Sequence, residues 1–284
     1  MNQTHTHQNI HGHAVPRFFY GTAWKEDATA GLTQNALQAG FRAIDTANQR
    51  KHYFEAGAGA GIAAALQTLG LERKDLFIQT KYTYQRGQDH RLPYDPKASH
   101  AVQVQQSFAS SLQHLNTTYL DSYVLHGPYK NEGVHAIDWE VWRAMEALHA
   151  QGKVRFLGVS NIAHEQLQTL WDGAQVKPTF VQNRCYANRG WDRQVRALCK
   201  THGMHYQGFS LLTANRPVLA DAAIETIATR HGATPAQVIF AFAMAVGMIP
   251  LTGTSNTQHM LQDLDAMALK LTPQDIHTIE TCAG

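Results

Sequence analysis

The sequence predicts an α/β protein that folds as a single (β/α)8 TIM barrel. Short apolar runs alternate with longer amphipathic segments along all 284 residues. The short runs are apolar on both faces, which is typical of parallel strands covered by helices. No linker or change in composition divides the chain, and one barrel commonly occupies about 250 residues.

Eight apolar runs are the strand candidates: Phe18–Gly21, Ala43–Thr46, Phe77–Lys81, Ser122–His126, Phe156–Ser160, Phe180–Asn183, Tyr206–Ser210 and Met248–Leu251. An open doubly wound sheet would alternate in the same way, but it usually carries G-x-G-x-x-G after its first strand. The stretch YGTAWKED has no such glycines, and GAGAGI at 57–62 follows a loop. We interpret GAGAGI as helix packing, so the closed barrel is favoured.

The segments between these strands have helical periodicity. Phe108, Leu112 and Leu115 recur on one helical face, and WEVWRAMEALHAQG ends on a glycine suited to stop a helix. Residues 220–247 indicate two helices that separate at GATPAQ, where Thr234 would cap the second. The chain therefore supplies a helix after most of its strands.

Composition narrows the possible functions. Charged residues make up 16% of the chain, the formal net charge is +2, and no basic run exists to bind a nucleic acid. No apolar stretch is long enough to span a membrane, and the N-terminus does not resemble a signal peptide. Three cysteines without paired spacing favour a reducing compartment. We expect a cytoplasmic protein that is monomeric or a weak homo-oligomer.

The first 13 residues contain four histidines, at positions 5, 7, 11 and 13. Their alternation could align imidazoles for a metal, but carboxylate or cysteine partners are missing nearby. We therefore predict no metal site. Residues 1–13 are expected to be a flexible, dispensable tail, and residues 14–284 to form the barrel.

Polar and titratable residues follow the strands at their carboxyl ends, where barrel enzymes carry their reactive groups. The residues at these ends are Asp45, Lys81, His126, Ser160, Asn161, Gln182, Asn183, Phe209 and Ser210, and all but Phe209 are polar or titratable. A lone aspartate or histidine there could simply cap a turn or bind a carbonyl. Asp45, Lys81 and His126 come from adjacent strands, and Tyr53 lies nearby in sequence. Such a convergence indicates a reactive site.

These side chains suit the reduction of a carbonyl group. Asp45 would keep Lys81 protonated, and the lysine charge would lower the pKa of Tyr53 from about 10. Tyr53 could then give a proton to a developing alkoxide, while a neutral His126 orients the carbonyl. This machinery lacks a hydride source, so a nicotinamide cofactor must bind beside it.

Three stretches resemble the aldo-keto reductase family, and the similarity extends from about residue 17 to 281. GFRAIDTA with the following tyrosine and glutamate is similar to the family's signature around its aspartate and tyrosine. SLQHLNTTYLDSYVLHGP and WRAMEALHAQGKVRFLGVSN are similar to its histidine and fifth-strand segments. The order Asp45, Tyr53, Lys81, His126 is also the family's catalytic order. The resemblance thus implies these four as the catalytic residues and a small-molecule carbonyl as the substrate.

The resemblance also implies NADPH as the cofactor, with NADH as the alternative, bound in an extended form without a Rossmann domain. Ser160, Asn161 and Gln182 would hold the carboxamide, and Phe209 would stack on the nicotinamide ring beside Ser210. The remaining cofactor contacts are expected in the segment after the eighth strand, at Gly253, Thr254, Ser255, Asn256, His259, Gln262 and Asp263.

The sequence departs from the family's pattern in three places. QRK at 49–51 is an insertion that moves the tyrosine from position 50 to 53. Gly253 and His259 stand near the places where a lysine and an arginine usually bind the NADPH 2′-phosphate. The segment after Lys81 is long and rich in tyrosines, which could shape the substrate pocket or simply pack the loop.

Two other functions remain open from the sequence. Lys81 could form a Schiff base in a barrel aldolase or lyase, although that chemistry needs a neutral amine, which Asp45 opposes. Alternatively, the protein could be a regulatory subunit that binds cofactor with little turnover.

Overall fold

The computed structural model describes residues 6–283. Strands β1 (His7–Ile10) and β2 (His13–Pro16) come first in the chain and form a separate two-stranded sheet. The next eight strands close into a parallel barrel in chain order, with the last strand beside the first. They are β3 (Phe19–Gly21), β4 (Ala43–Asp45), β5 (Phe77–Tyr82), β6 (Leu120–Leu125), β7 (Val154–Ser160), β8 (Phe180–Arg184), β9 (His205–Phe209) and β10 (Met248–Thr252). The closed barrel is confirmed, and all eight strand candidates are strands.

Helices follow the strands along the chain. They are α1 (Thr29–Ala39), α2 (Glu55–Leu69), α3 (His100–His114), α4 (Ala136–Ala150), α5 (His164–Gly173), α6 (Arg193–His202), α7 (Arg216–Leu219), α8 (Ala222–His231), α9 (Pro235–Ala245), α10 (Thr257–Asp265) and α11 (Pro273–Thr281). In residues 6–283 no helix is long and apolar enough to cross a membrane.

Contacts divide the chain into two compact units. One unit is Tyr20–Val181, which contains the four predicted catalytic residues. The other combines the N-terminal segment up to Phe19 with the chain from Gln182 onward, and it contains Gln182, Phe209 and the 253–263 segment.

Local chemistry explains the helix boundaries. The Thr234 side chain accepts a hydrogen bond from the Gln237 amide, and Pro235 opens α9, as the sequence predicts. The glycines of GAGAGI lie in α2, where a Cβ on Gly59 would come within 1.8 Å of the His114 carbonyl oxygen. The interpretation of this motif as helix packing is therefore confirmed.

The N-terminal segment differs from the expected flexible tail. Residues 1–5 lie outside the described part, but β1 (His7–Ile10) and β2 (His13–Pro16) form an antiparallel hairpin. Ile10 is 2% exposed and Val15 is fully buried. The sequence pattern does not indicate this hairpin, because only two isolated apolar residues, Ile10 and Val15, supply its buried contacts. Within residues 6–283 no cluster of metal-binding side chains exists.

The hairpin changes the expected result of an N-terminal truncation. Deleting residues 1–12 should lower the melting temperature by several degrees, because burial of a side chain such as Ile10 contributes ~1.5–3 kcal/mol. Differential scanning calorimetry measures this, with His13→Ala as a control at an exposed position of the same hairpin. An unchanged melting temperature of the truncated protein would contradict a stabilising role for the hairpin.

Candidate active site

Asp45 and Lys81 form a buried ion pair at neighbouring strand ends. Lys81 lies on β5, is fully buried, and places Nζ 2.8 and 2.7 Å from Asp45 Oδ1 and Oδ2. Its third acceptor is the Thr46 carbonyl oxygen at 2.8 Å. Gln79 Nε2 also donates to Asp45 Oδ1, over 2.7 Å. The pair is therefore enclosed by hydrogen-bond partners.

The geometry around Nζ is that of an ammonium group. Burial lowers the pKa of Lys81, while the charge and hydrogen bonds of Asp45 raise it. Three acceptors surround Nζ, and a protonated amine has three N–H groups to give them. We therefore treat Lys81 as charged in the folded protein.

The inserted residues form a tight turn that ends at Tyr53. The amide of Tyr53 donates to the Gln49 carbonyl oxygen at 2.9 Å, and Arg50 turns outward to pair with Glu26 at 3.0 Å. The half-buried ring of Tyr53 lies 5.1 Å from Lys81 Nζ and 5.8 Å from the His126 ring centroid. The insertion thus leaves Tyr53 beside both residues.

The long loop after β5 braces this turn through crossed amide contacts. Gln49 Nε2 donates to the Gly87 carbonyl oxygen at 2.6 Å, and Gln88 Nε2 donates to the Asn48 carbonyl oxygen at 2.8 Å. Both glutamines are buried. The position of Tyr53 therefore depends on the loop after β5 as well as on its own turn.

The charge environment of Tyr53 differs from the prediction. Burial raises its pKa above the usual value of 10.0, and the negative charge of Asp45 raises it further. The prediction that Lys81 lowers this pKa is therefore wrong for the protein alone, because burial and the negative charge of Asp45 outweigh any lowering by the lysine charge. Tyr53 remains a protonated phenol, and within residues 6–283 its hydroxyl has no hydrogen-bond partner.

His126 is a neutral imidazole. Burial and the positive charge of Lys81 lower its pKa well below 6.5. Its Nδ1 lies 2.7 Å from Thr83 Oγ1. In the described part of the chain no residue is hydrogen-bonded to Nε2, so this nitrogen is available to a ligand.

Ser160 and Asn161 lie in the same unit as His126. Asn161 Nδ2 donates to the His126 carbonyl oxygen at 2.8 Å and to Ser160 Oγ at 3.1 Å. Ser160 is buried at the end of β7, and Asn161 is exposed. The structure thus brings these two predicted cofactor residues next to His126.

In the second unit, Gln182 and Phe209 lie near the carboxyl ends of β8 and β9. Gln182 Nε2 donates to Gln207 Oε1 at 3.0 Å, which orients its amide. Phe209 is half-buried, and Ser210 has the left-handed φ of 57° immediately after it. The strand therefore ends abruptly behind the aromatic ring.

The segment after β10 contains exposed residues and also side chains that are hydrogen-bonded within the fold. Gly253, Ser255 and His259 are exposed. Asn256 caps α10 by accepting from the amides of Gln258 and His259. Its side-chain oxygen is therefore used within the fold.

The last two predicted residues of this segment also have partners. Asp263 is buried and accepts from Thr252 Oγ1 at 2.7 Å, while burial raises its pKa to about 6. The carbonyl oxygen of Gln262 accepts from Gln237 Nε2 at 2.9 Å. Asp263 thus has a clear structural role between β10 and α10.

The tyrosines of the long loop pack the loop. Tyr82, Tyr84 and Tyr94 are at most 6% exposed. Their hydroxyls donate to Gln103 Oε1, Asp138 Oδ1 and the Thr83 carbonyl oxygen. These three tyrosines therefore pack the loop and do not line a substrate pocket, and each of their hydroxyls already donates a hydrogen bond within the protein.

Sequence reasoning missed two residues that contact the predicted site, Gln79 and Thr83, and the contact of a buried carboxylate with His114. Gln79 and Thr83 lie two residues before and after Lys81, so alternation along β5 could have placed all three on one face. Glu55 is buried, where its carboxylate accepts from Thr80 and lies 2.9 Å from His114 Nδ1. No sequence signal pairs Glu55 with His114, because 59 residues separate them.

Comparisons with known proteins agree with this architecture. The sequence profile of the Aldo/keto reductase family matches residues 19–283. The methylglyoxal reductase DkgB of Escherichia coli O157:H7 is 30% identical over 267 residues, covering 92% of this chain and 91% of that protein. The glyoxal reductase of Bacillus subtilis (strain 168) is 28% identical over 246 residues, covering 86% and 80%.

Solved structures give the same result. The crystal structure of an aldo/keto reductase from Brucella melitensis superposes with a TM-score of 0.80 at 25% identity, covering 95% of this chain and 94% of that one. The barrel and the sequence match together indicate an oxidoreductase that acts on carbonyl compounds. The chain belongs to the aldo/keto reductase family.

Proposed function

We propose that this protein reduces an aldehyde or ketone with a nicotinamide cofactor and that Tyr53 is the proton donor. The carrying observation is the buried Lys81–Asp45 pair below the ring of Tyr53, with the neutral His126 beside it. A free phenol and a free imidazole nitrogen can both reach one substrate oxygen. Both can donate hydrogen bonds, which is what a developing alkoxide requires.

In this mechanism the substrate oxygen lies between Tyr53 Oη and His126 Nε2. As the carbonyl carbon is reduced, negative charge grows on the oxygen and Tyr53 transfers its proton there. The phenolate left behind is stabilised by the Lys81 ammonium, which Asp45 holds in place. His126 stays neutral and orients the carbonyl, so the products are the alcohol and the oxidised cofactor.

The residues present fit a nicotinamide cofactor, which supplies the hydride when bound. Ser160 and Asn161 offer a hydroxyl and an amide next to His126, and such groups suit a carboxamide. Gln182 offers a second amide and Phe209 a half-buried ring for stacking. Gly253, Thr254, Ser255 and the exposed His259 would meet the adenosine phosphate.

The same geometry argues against a Schiff base on Lys81. A Schiff-base lysine needs a neutral amine that the substrate carbonyl can reach. Lys81 is instead fully buried, and its Nζ donates hydrogen bonds to three acceptors. An adduct would have to break these contacts.

We propose small aldehydes and dicarbonyls as substrates, because similar proteins are named methylglyoxal and glyoxal reductases. The test measures NADPH and NADH oxidation against glyoxal, methylglyoxal, simple ketones, quinones and cyclic imines. Saturable oxidation with an aldehyde or ketone supports the proposal. Cofactor binding without turnover on the whole panel would contradict it and favour the regulatory-subunit alternative.

The cofactor preference should be weak for this family. No lysine or arginine lies within 253–263, so the 2′-phosphate would meet only hydroxyls, amides and His259. We expect NADPH to bind less than ~10³-fold more tightly than NADH, which corresponds to ~4 kcal/mol. Fluorescence titration at low and moderate salt should show only a mild loss of NADPH affinity. A larger preference would mean that a basic side chain elsewhere, such as the exposed Arg216, reaches the phosphate.

The pH dependence of reduction should be flat near neutrality. The pKa of Tyr53 is raised above 10.0 and that of His126 is lowered well below 6.5. Tyr53 therefore stays protonated and His126 stays neutral between those limits. We expect kcat for reduction to be constant between about pH 6.5 and pH 9 in saturating cofactor. A sigmoidal fall in kcat centred near pH 7–8 would contradict these charge states.

We also propose that the protein acts in the cytoplasm, since its three cysteines form no disulfide. A monomer or weak homo-oligomer is expected, and light scattering at two concentrations tests this.

A further inference from the structure

Thr83 lies directly behind His126. Its Oγ1 is 2.7 Å from His126 Nδ1, and the threonine is 5% exposed. Among residues 6–283 the imidazole is the only hydrogen-bond partner of this hydroxyl. The direction of this hydrogen bond therefore depends on which ring nitrogen of His126 carries the proton.

The direction of this hydrogen bond follows from counting donors. A hydroxyl has one hydrogen, and a neutral imidazole has one N–H and one bare nitrogen. If Nδ1–H donated to Thr83, the threonine hydrogen would be buried without an acceptor, which is costly. If Thr83 donates to Nδ1, its hydrogen is satisfied and the imidazole proton moves to Nε2.

The surroundings hold the Thr83 side chain in this orientation. Its carbonyl oxygen accepts from the Tyr94 hydroxyl at 2.8 Å, which fixes the backbone. Its methyl group lies against Gly87, where an added Cβ would come within 2.7 Å of Thr83 Cγ2. The methyl therefore occupies the space beside the glycine, and the hydroxyl faces His126.

We propose that Thr83 is a positioning residue that holds His126 in the Nε2–H tautomer. In this tautomer the free Nε2 donates a hydrogen bond to the substrate oxygen, whereas the other tautomer would oppose that oxygen with a lone pair. The use of the proton rests on the proposed function. The tautomer itself is a property of the protein without substrate.

The first test is ring-nitrogen NMR of the full-length protein labelled with 15N-histidine. Spectra of the His126→Asn variant assign the His126 signals among those of 17 histidines. We expect a bare, pyridine-type Nδ1 and a protonated, pyrrole-type Nε2 at pH 7.5. Thr83→Val should shift both signals toward a mixture of tautomers, and Thr83→Ser should retain the wild-type shifts. A protonated Nδ1 in the wild-type protein would overturn the proposal, even if Thr83→Val fails to fold.

The second test is kinetic. Thr83→Val should lower kcat for carbonyl reduction about tenfold, which corresponds to ~1.4 kcal/mol, with cofactor Kd unchanged. Thr83→Ser should restore kcat, and Tyr82→Phe, which loses a buried hydrogen bond to Gln103 but keeps the threonine hydroxyl, controls for loop stability. Equal kcat values in Thr83→Val and wild type, with unchanged NMR shifts, would exclude this role. If the protein reduces no carbonyl compound, the NMR result still decides the tautomer, so the two proposals fail separately.

Discussion

Tyr53→Phe should lower turnover by at least ~10²-fold, because a positioned acid typically contributes 10²–10⁴-fold. The substitution removes only the hydroxyl, and the ring can still pack beside Lys81 and His126. Cofactor affinity should barely change, because the proposed role of the phenol is at the substrate oxygen. Stopped-flow measurement of cofactor oxidation separates this chemical step from cofactor binding.

Tyr82→Phe is the matched control for this experiment. Tyr82 is a fully buried tyrosine of the adjoining strand, and its hydroxyl donates to Gln103 Oε1 at 3.2 Å. Its loss should cost stability, about 1–3 kcal/mol for the unpaired amide oxygen, and leave turnover nearly unchanged. The assignment of Tyr53 would be wrong if Tyr53→Phe kept normal turnover and Tyr82→Phe lost it.

Lys81→Met should both destabilise the protein and abolish most turnover. It removes the ammonium partner of the buried Asp45 carboxylate, and removing one partner of a buried ion pair costs about 3–5 kcal/mol. Turnover should fall by a factor similar to that of Tyr53→Phe, and the double variant should lose little more, because residues that act as one unit are not additive. Urea unfolding measures the first effect, and steady-state kinetics measure the second.

An exposed ion pair provides the comparison. Lys74 lies 2.6 Å from Glu72, and both side chains are about 70% and 68% exposed. Lys74→Met should change stability far less than Lys81→Met, because water screens such exposed pairs. Equal destabilisation by Lys81→Met and Lys74→Met would show that the buried pair does not stabilise the fold.

The barrel could be predicted from local patterns. Eight runs of apolar residues were enough to locate the strands, and Thr234 with Pro235 located the start of a helix, because capping is a property of a few neighbouring residues. The hairpin could not be found in this way. Its buried residues Ile10 and Val15 are isolated in sequence among polar neighbours, and only tertiary packing shows that they are covered.

The sequence predicted which residues of the candidate site lie close together, but it did not predict the charge environment of Tyr53. Alternation and strand order were enough to bring Asp45, Lys81 and His126 together. The pKa of Tyr53 could not be predicted in this way, because it depends on burial and on the negative charge of Asp45. The hydrogen bond between Thr83 and His126 joins residues that are 43 positions apart in sequence. Only the three-dimensional fold brings these two side chains into contact.

The most direct test of the account is the transfer of deuterium from cofactor to product. The protein is incubated with methylglyoxal and NADPH deuterated at the transferable C4 position, and the alcohol and the protein are analysed by mass spectrometry. Hydride transfer predicts one deuterium on the carbinol carbon for each cofactor oxidised, with no mass added to the protein. Consumption of the carbonyl compound without deuterium transfer, together with a borohydride-trapped adduct on Lys81, would contradict the account and establish Schiff-base chemistry instead.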